Sequence, residues 1–258
     1  MEKVIKNAFA TGLILVIFCG LGAAAKWLVN NPEPIKNQIT GQTAIAEPDS
    51  MLVQKFLKIT SFLSNTNHLA LNISIFDGAD STQNIIDLPY RFEQQGARFY
   101  CQFGKTETLI ANEKYLFVDH GQQKMMFGNS SKNKQDRLLP IPEKVVDHIK
   151  SEGYVLKDET VEEGIRKISL INMNHISCRV YEVTYQAQNL EPLSVFLRMD
   201  NFNDPYDIKL DKRITFKIKR QNPGSAGIPD MNSFLEGIKT SDPVTTKEFS
   251  KYELIKLP

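Results

Sequence analysis

Cysteine is scarce in this chain: three residues in 258, at positions 19, 101 and 178. Spacing that wide excludes a CxxC metal or redox site and a disulfide-stapled scaffold. Cys101 and Cys178 both fall in predicted strands, and two readings stay open. They form one bridge in an exported chain, or they are two buried thiols that pack as small hydrophobes. A surplus of one charge is also missing, since 31 basic residues stand against 30 acidic ones for a net charge of +1. Nucleic-acid binding needs a basic excess to neutralise phosphates, so that class is set aside. Histidine is limited to His68, His120, His148 and His175, scattered along the chain. No GxSxG, GxxxxGK[ST] or HExxH motif occurs. Asp119 and His120 are neighbours in VDHG, but adjacent strand residues point to opposite faces, and the stretch reads as a turn. Asp77-Gly78-Ala79-Asp80 also reads as a turn, because a calcium loop needs spaced oxygens and a closing Glu. The expectation is a protein with no catalytic residues, no metal and no cofactor.

What is present begins at the N-terminus. Lys3 and Lys6 precede residues 8–25, AFATGLILVIFCGLGAAA, which carry no charge, and Lys26 and Trp27 follow. Eighteen residues at ~1.5 Å each reach roughly 27 Å, near the lower limit for spanning a bilayer core. Residues 1–29 are therefore a membrane anchor, favoured by the length and Trp27, or a signal peptide cleaved near Ala23-Ala24-Ala25. Lys3 and Lys6 put the N-terminus in the cytoplasm and the rest outside. The domain is therefore expected outside the cytoplasm, anchored to a membrane or released from it by cleavage. Residues 30–50, punctuated by Pro32, Pro34 and Pro48, read as a polar tether. Residues 51–258 show no internal boundary and read as one domain.

That domain opens with a predicted helix over 51–65, with Ser50 as N-cap and Leu52, Phe56, Ile59 and Leu63 on one stripe. Period-two runs follow: Leu69, Leu71, Ile73 and Ile75, then Leu88, Tyr90 and Phe92, then Ala97, Phe99, Cys101 and Phe103. Short turns such as QQG, FGK and ANEK separate the later runs, the pattern of an antiparallel meander. One apolar face per strand predicts a sheet that covers something on one side only, although in KYLFVD both faces carry apolar groups. A second helix is expected within 140–153, between Pro142 and Gly153. Strands are expected at 165–172, 176–186, 193–199, 206–220 and 249–257, and a short helix at 229–239. The run 206–220 holds six basic and two acidic residues, 6 − 2 = +4. It is read as one strand, with Ile208, Leu210, Ile214, Phe216 and Ile218 on one face and a basic surface that includes Lys209, Arg213, Lys217 and Lys219 on the other. Such a surface contacts an anionic membrane or acidic partner, or is a solvated face whose lysines block edge aggregation. The fold class is α+β, mainly β: a single strongly curved antiparallel sheet of nine or ten strands, an incomplete β-barrel, covered by two or three short helices.

The stretches YRFEQQGARFYCQFG and YLFVDHGQQKMMF, preceded and followed by a helix, resemble the lipoprotein carrier superfamily of the bacterial envelope. Arg91, Phe92, Gly96, Arg98, Tyr100, Tyr115, Leu116 and Asp119 carry the resemblance, which covers about residues 51–130. It implies a bacterial cell envelope location, inner-membrane anchored with the domain on the periplasmic side or soluble periplasmic after cleavage, and a half-barrel with helices over an apolar concavity that binds acyl chains or lipidated partners without catalysis. On that reading Tyr90, Phe92, Phe99, Phe103, Phe117 and Met126 line the concavity, and the partners are a lipid or lipoprotein and other envelope proteins. The alternative is a membrane-anchored structural or regulatory subunit whose concavity is filled by its own helices and which acts through protein contacts.

Overall fold

The computed structural model of the chain describes residues 49–130, 145–219, 227–238, 240 and 242–257. The chain divides into two units, Met1–Ile45 with Gln135–Pro140, and Ala46–Lys134 with Ile141–Pro258; all that follows concerns the second. The expected anchor or signal and residues 30–48 of the tether lie outside the described residues.

Helix α1 (Ser50–Asn65) is capped by Asp49, whose carboxylate accepts from the N–H groups of Met51 at 2.9 Å and Leu52 at 3.5 Å. Ser50, expected as the cap, is the first helical residue instead; the carboxylate one position earlier reaches the orphan donors better. The meander follows as β1 (His68–Asp77), β2 (Ile85–Gln95), β3 (Arg98–Phe103), β4 (Thr106–Ala111), β5 (Lys114–Asp119) and β6 (Lys124–Asn129). Asn112 and Glu113, at φ 51° and 61°, close the β4–β5 hairpin in the left-handed conformation that two-residue turns require. Then come α2 (Val145–Glu152), β7 (Val155–Glu162), β8 (Ile165–Ile171), β9 (Cys178–Gln186), β10 (Pro192–Met199) and β11 (Lys212–Ile218). The described part of the C-terminal segment holds the short strands β12 (Leu235–Glu236), β13 (Val244–Thr245) and β14 (Glu253–Lys256), with 3₁₀ turns before β12 and between β13 and β14.

Twelve strands form one open sheet in the order β14-β6-β5-β4-β3-β2-β1-β11-β10-β9-β8-β7. Every neighbouring pair is antiparallel except β14–β6, which is parallel. The expectation of a wholly antiparallel sheet fails there because β14 arrives by a long return of the chain and is free of the hairpin constraint. Cross-strand partners share a face. Met126, Phe117, Thr108, Cys101 and Phe92 run in register across one end, and Ile73, Phe216, Val195, Val183 and Ile168 continue the same face across the other. We call it the inner face.

Helix α1 packs on the inner face of the β8–β10 end. Phe56 and Ile59 are fully buried, and the Phe56 ring meets Tyr181 edge-on at 5.8 Å. Lys55 fastens the helix to Asp158 of β7 at 2.6 Å, and Asp158 also accepts from Arg166 at 3.0 Å and Tyr185 at 2.8 Å. Burial pushes the Asp158 carboxyl up, but the hydrogen bonds from Lys55, Arg166 and Tyr185 outweigh it and hold the group below the usual carboxylate range.

Three segments depart from expectation. Residues 206–211 are loop and 3₁₀ turn, so the strand expected over 206–220 is only β11. Asp204 and Asp207 bend this segment by accepting main-chain N–H bonds from Tyr206, Asp207 and Lys209, a use of Asp that competes with a strand ladder. The helix expected at 229–239 is a 3₁₀ turn at Met231–Ser233 followed by β12, because Asp230 caps Asn232 and the chain then pairs with β13. The closing strand starts at Glu253, not Phe249, since Lys247–Phe249 is another 3₁₀ turn. Strand β7, VLKDETVE, lacks an apolar alternation because it is the exposed edge of the sheet.

Phe56→Ala should cost about 3–5 kcal/mol by urea denaturation, the usual loss for a buried Phe, whereas Leu57→Ala on the exposed side should change little. A depressed Asp carboxyl stabilises the fold above its unfolded value, near 3.9, and that contribution is lost as pH falls through the lower folded value. Urea midpoints of the wild type should therefore converge on those of Asp158→Asn as pH falls from about 5 through that range.

Candidate functional site

The two ends of the sheet bury opposite faces. On β3–β6 the outer-face residues Tyr100, Leu109, Leu116, Val118, Met125 and Phe127 are buried beneath the C-terminal segment, against Met231, Phe234, Leu235 and Phe249. The inner faces of the same strands are apolar as well, so the expectation of one apolar face per strand fails here. Tyr100, left out of the apolar set of its strand, is the side chain that anchors this second core.

All six residues expected to line a concavity lie on the inner face. Tyr90 and Phe92 are buried, at 5% and 4% exposure, where β2 meets β1. Phe99, Phe103, Phe117 and Met126 are half-buried, with Phe99 edge-on to Phe92 at 5.6 Å. Ile110 and Tyr115 are half-buried on the same face, and burial pushes the Tyr115 hydroxyl up. The result is an apolar strip across β3–β6 beside the part of the inner face that α1 covers. Thr108 lies within the strip, and Thr106 closes its end, donating to the Phe103 carbonyl at 2.9 Å.

The basic residues divide. Arg213, Lys217 and Lys219 are exposed and alternate on the outer side of β11, whereas Lys209 belongs to the preceding 3₁₀ turn. Asp211, in the same run of sequence, is buried between Arg198 at 2.6 Å and Arg179 at 3.4 Å.

His120 and His175 serve turns and cross-links. Asp119 accepts from the N–H groups of Gly121 and Gln122 and so closes its own turn, while His120 contacts Glu107 at 2.6 Å and the Tyr252 hydroxyl at 2.9 Å. Tyr100 donates to the same Glu107 at 2.9 Å, so this network ties β3 and β4 to the C-terminal segment. Ser177, His175 and Glu152 have the connectivity of a nucleophile relay, with Ser177 Oγ 3.1 Å from His175 Nδ1 and Nε2 3.0 Å from Glu152. The same Nδ1 accepts the main-chain N–H groups of Ser177 and Cys178, each at 3.2 Å. Taking the serine proton would turn that acceptor into a donor facing two donors, so this group closes the β8–β9 turn and is a poor base. No cluster of three or more metal-ligating side chains occurs among the described residues. A cleft of about 350 Å³ between Arg98, Asn112, Lys114 and Asp230 lies beside the C-terminal segment, away from the apolar strip.

Cys101 and Cys178 are free thiols, which decides between the two readings of the sequence. Burial pushes Cys101 up to about 11 and Cys178 up to about 12, so neither is a thiolate at neutral pH.

No protein-family model matches the chain, and no curated protein does. Among solved structures it is similar to an uncharacterised conserved protein from Thermus thermophilus, at 10% identity and a TM-score of 0.35 over 80% of this chain and 99% of that one. A DUF1329 family protein from Desulfovibrio piger matches at 9% identity and a TM-score of 0.29, over 70% of this chain and 95% of the other. A putative outer membrane lipoprotein-sorting protein domain from Vibrio parahaemolyticus matches at 9% and 0.27, over 71% and 94%. Values this low assign neither a family nor an activity to the chain.

Maleimide labelling without reductant should modify Cys101 and Cys178 fully in denaturant and slowly in the native protein; a pair that labels only after reduction would mean a bridge.

Proposed function

We propose that this chain is a non-catalytic protein of the bacterial envelope that holds a hydrocarbon chain, from a lipid or a lipoprotein, against the inner face of β3–β6. The observation that carries the reading is the half-burial of Phe99, Phe103, Phe117 and Met126 on a face that continues the buried core. A contiguous apolar surface of this kind marks a binding site more often than plain surface. Each methylene taken from water is worth about 0.8 kcal/mol, so ten give ~8 kcal/mol before the cost of ordering the chain. Tyr90 and Phe92 form the floor of the site, and the aromatic rings at its sides need no charge to hold an alkyl chain. The N-terminal segment, as anchor or as cleaved signal, delivers the domain to the periplasmic side. A second reading, a structural or regulatory subunit acting through protein contacts, is favoured by α1, which already fills the inner face over β8–β10.

Lipid mass spectrometry on the purified full chain should find acyl chains near one per protein, and Phe117→Asp should strip them while Arg213→Asp leaves them in place. A protein that carries no lipid and binds no hydrophobic dye sinks the ligand reading. In-cell crosslinking then tests the subunit reading.

A further inference from the structure

The end of the sheet formed by the β8–β9 and β10–β11 loops carries apolar side chains that pack against almost nothing. Tyr206 is 94% exposed, Phe202 77% and Ile176 69%, and Ile208 is exposed beside them. These tips are not loose ends. Arg179, itself buried, reaches both loops: it donates to the Met173 carbonyl at 2.7 Å and the Pro205 carbonyl, and pairs with Asp200 at 2.8 Å. Arg198 donates to the Ile208 carbonyl at 2.8 Å while pairing with Asp211. The β1–β2 turn presses on the same place, where a Cβ at Gly78 would stand 2.1 Å from the Lys209 carbonyl oxygen. Asp204, exposed, and Asp207, half-buried, accept main-chain N–H groups of their own loop, and the rings and Lys209 are exposed beside them. This bracing keeps Ile176, Phe202, Tyr206 and Ile208 exposed at one end of the sheet, and a group of exposed apolar side chains is the kind of surface that marks an interaction site.

We infer that this end of the sheet, through Ile176, Phe202, Tyr206 and Ile208, docks onto a bilayer and inserts into its interfacial layer. Side chains this exposed do not line a shaped groove, and a fluid lipid surface accepts separate tips without matching their contour. Tyr and Phe are the residues that favour the membrane–water boundary, and Lys209 beside them suits the headgroup level. The chain outside the described residues points the same way. Residues 8–25 carry no charge, and the roughly twenty residues from 30 to 49 reach up to about 65 Å when extended, enough for this end to meet a membrane that holds the first segment. The docking surface stands apart from the strip on β3–β6 and does not depend on whether that strip holds a ligand.

The sequence has one Trp, Trp27, which makes an optical test direct. Full-length Trp27→Phe carrying Tyr206→Trp is mixed with phosphatidylcholine–phosphatidylglycerol vesicles containing brominated acyl chains. The same background carrying Gln188→Trp, in the exposed β9–β10 turn at the opposite end, is the control. The indole at 206 should shift to the blue and be quenched, that at 188 should not, and adding Phe202→Ser and Ile176→Ser should abolish the quenching. An unquenched indole at 206, or equal quenching at both positions, overturns the proposal. So does an indole that ignores vesicles but shifts on adding envelope proteins, which would assign the surface to a protein partner.

Discussion

Strands β3 to β6 bury their outer face while β8 to β10 bury their inner face, so the sheet needs covers on opposite sides at its two ends. Here α1 lies on the inner face at one end, and the C-terminal segment lies on the outer face at the other. The rest of the architecture follows. The C-terminal residues cross the outer face and add β14 parallel to β6 because they come back to the sheet from a distance. Glu107, shared by Tyr100 and His120, satisfies polar groups that this covering would otherwise strand.

The division of covers also explains where half-buried apolar surface remains. Over β8–β10 the inner face is occupied by Phe56 and Ile59, and the opposite face bears charge pairs such as Lys167 with Glu182. Over β3–β6 the outer face is the closed core, which leaves the inner side with its half-buried aromatics. The protein's own helix therefore fills the inner face over β8–β10 and leaves that of β3–β6 half-buried. Polar chemistry is arranged to hold loops and covers: His175 closes a turn, Asp158 fastens α1, and Arg179 braces two loops.

Much of the fold is legible in the sequence. The stripe of Phe56, Ile59 and Leu63 and the alternation through β1, β3 and β8–β10 are local patterns, because side-chain direction follows the period of the backbone. The same rule puts Tyr90, Phe92, Phe99, Phe103, Phe117 and Met126 on one face, though it says nothing of what they hold. The errors occur where local chemistry competes with period. Asp204, Asp207 and Asp230 bend segments whose apolar spacing mimics a strand or a helix. The edge strand β7 escapes notice because half of a strand's signal is the burial it lacks.

By itself the sequence determined the predominance of β-structure, the meander and its turns, the lack of a catalytic motif and the apolar character of residues 90–127. It also determined that KYLFVD is apolar on both sides, though not what that means. Only the tertiary structure decided which apolar face is closed and which remains half-open, that Cys101 and Cys178 stay thiols, and that Phe202 and Tyr206 stand in water. These depend on contacts between segments far apart in the chain. Periodicity tells which way a side chain points, and only packing tells what it meets there.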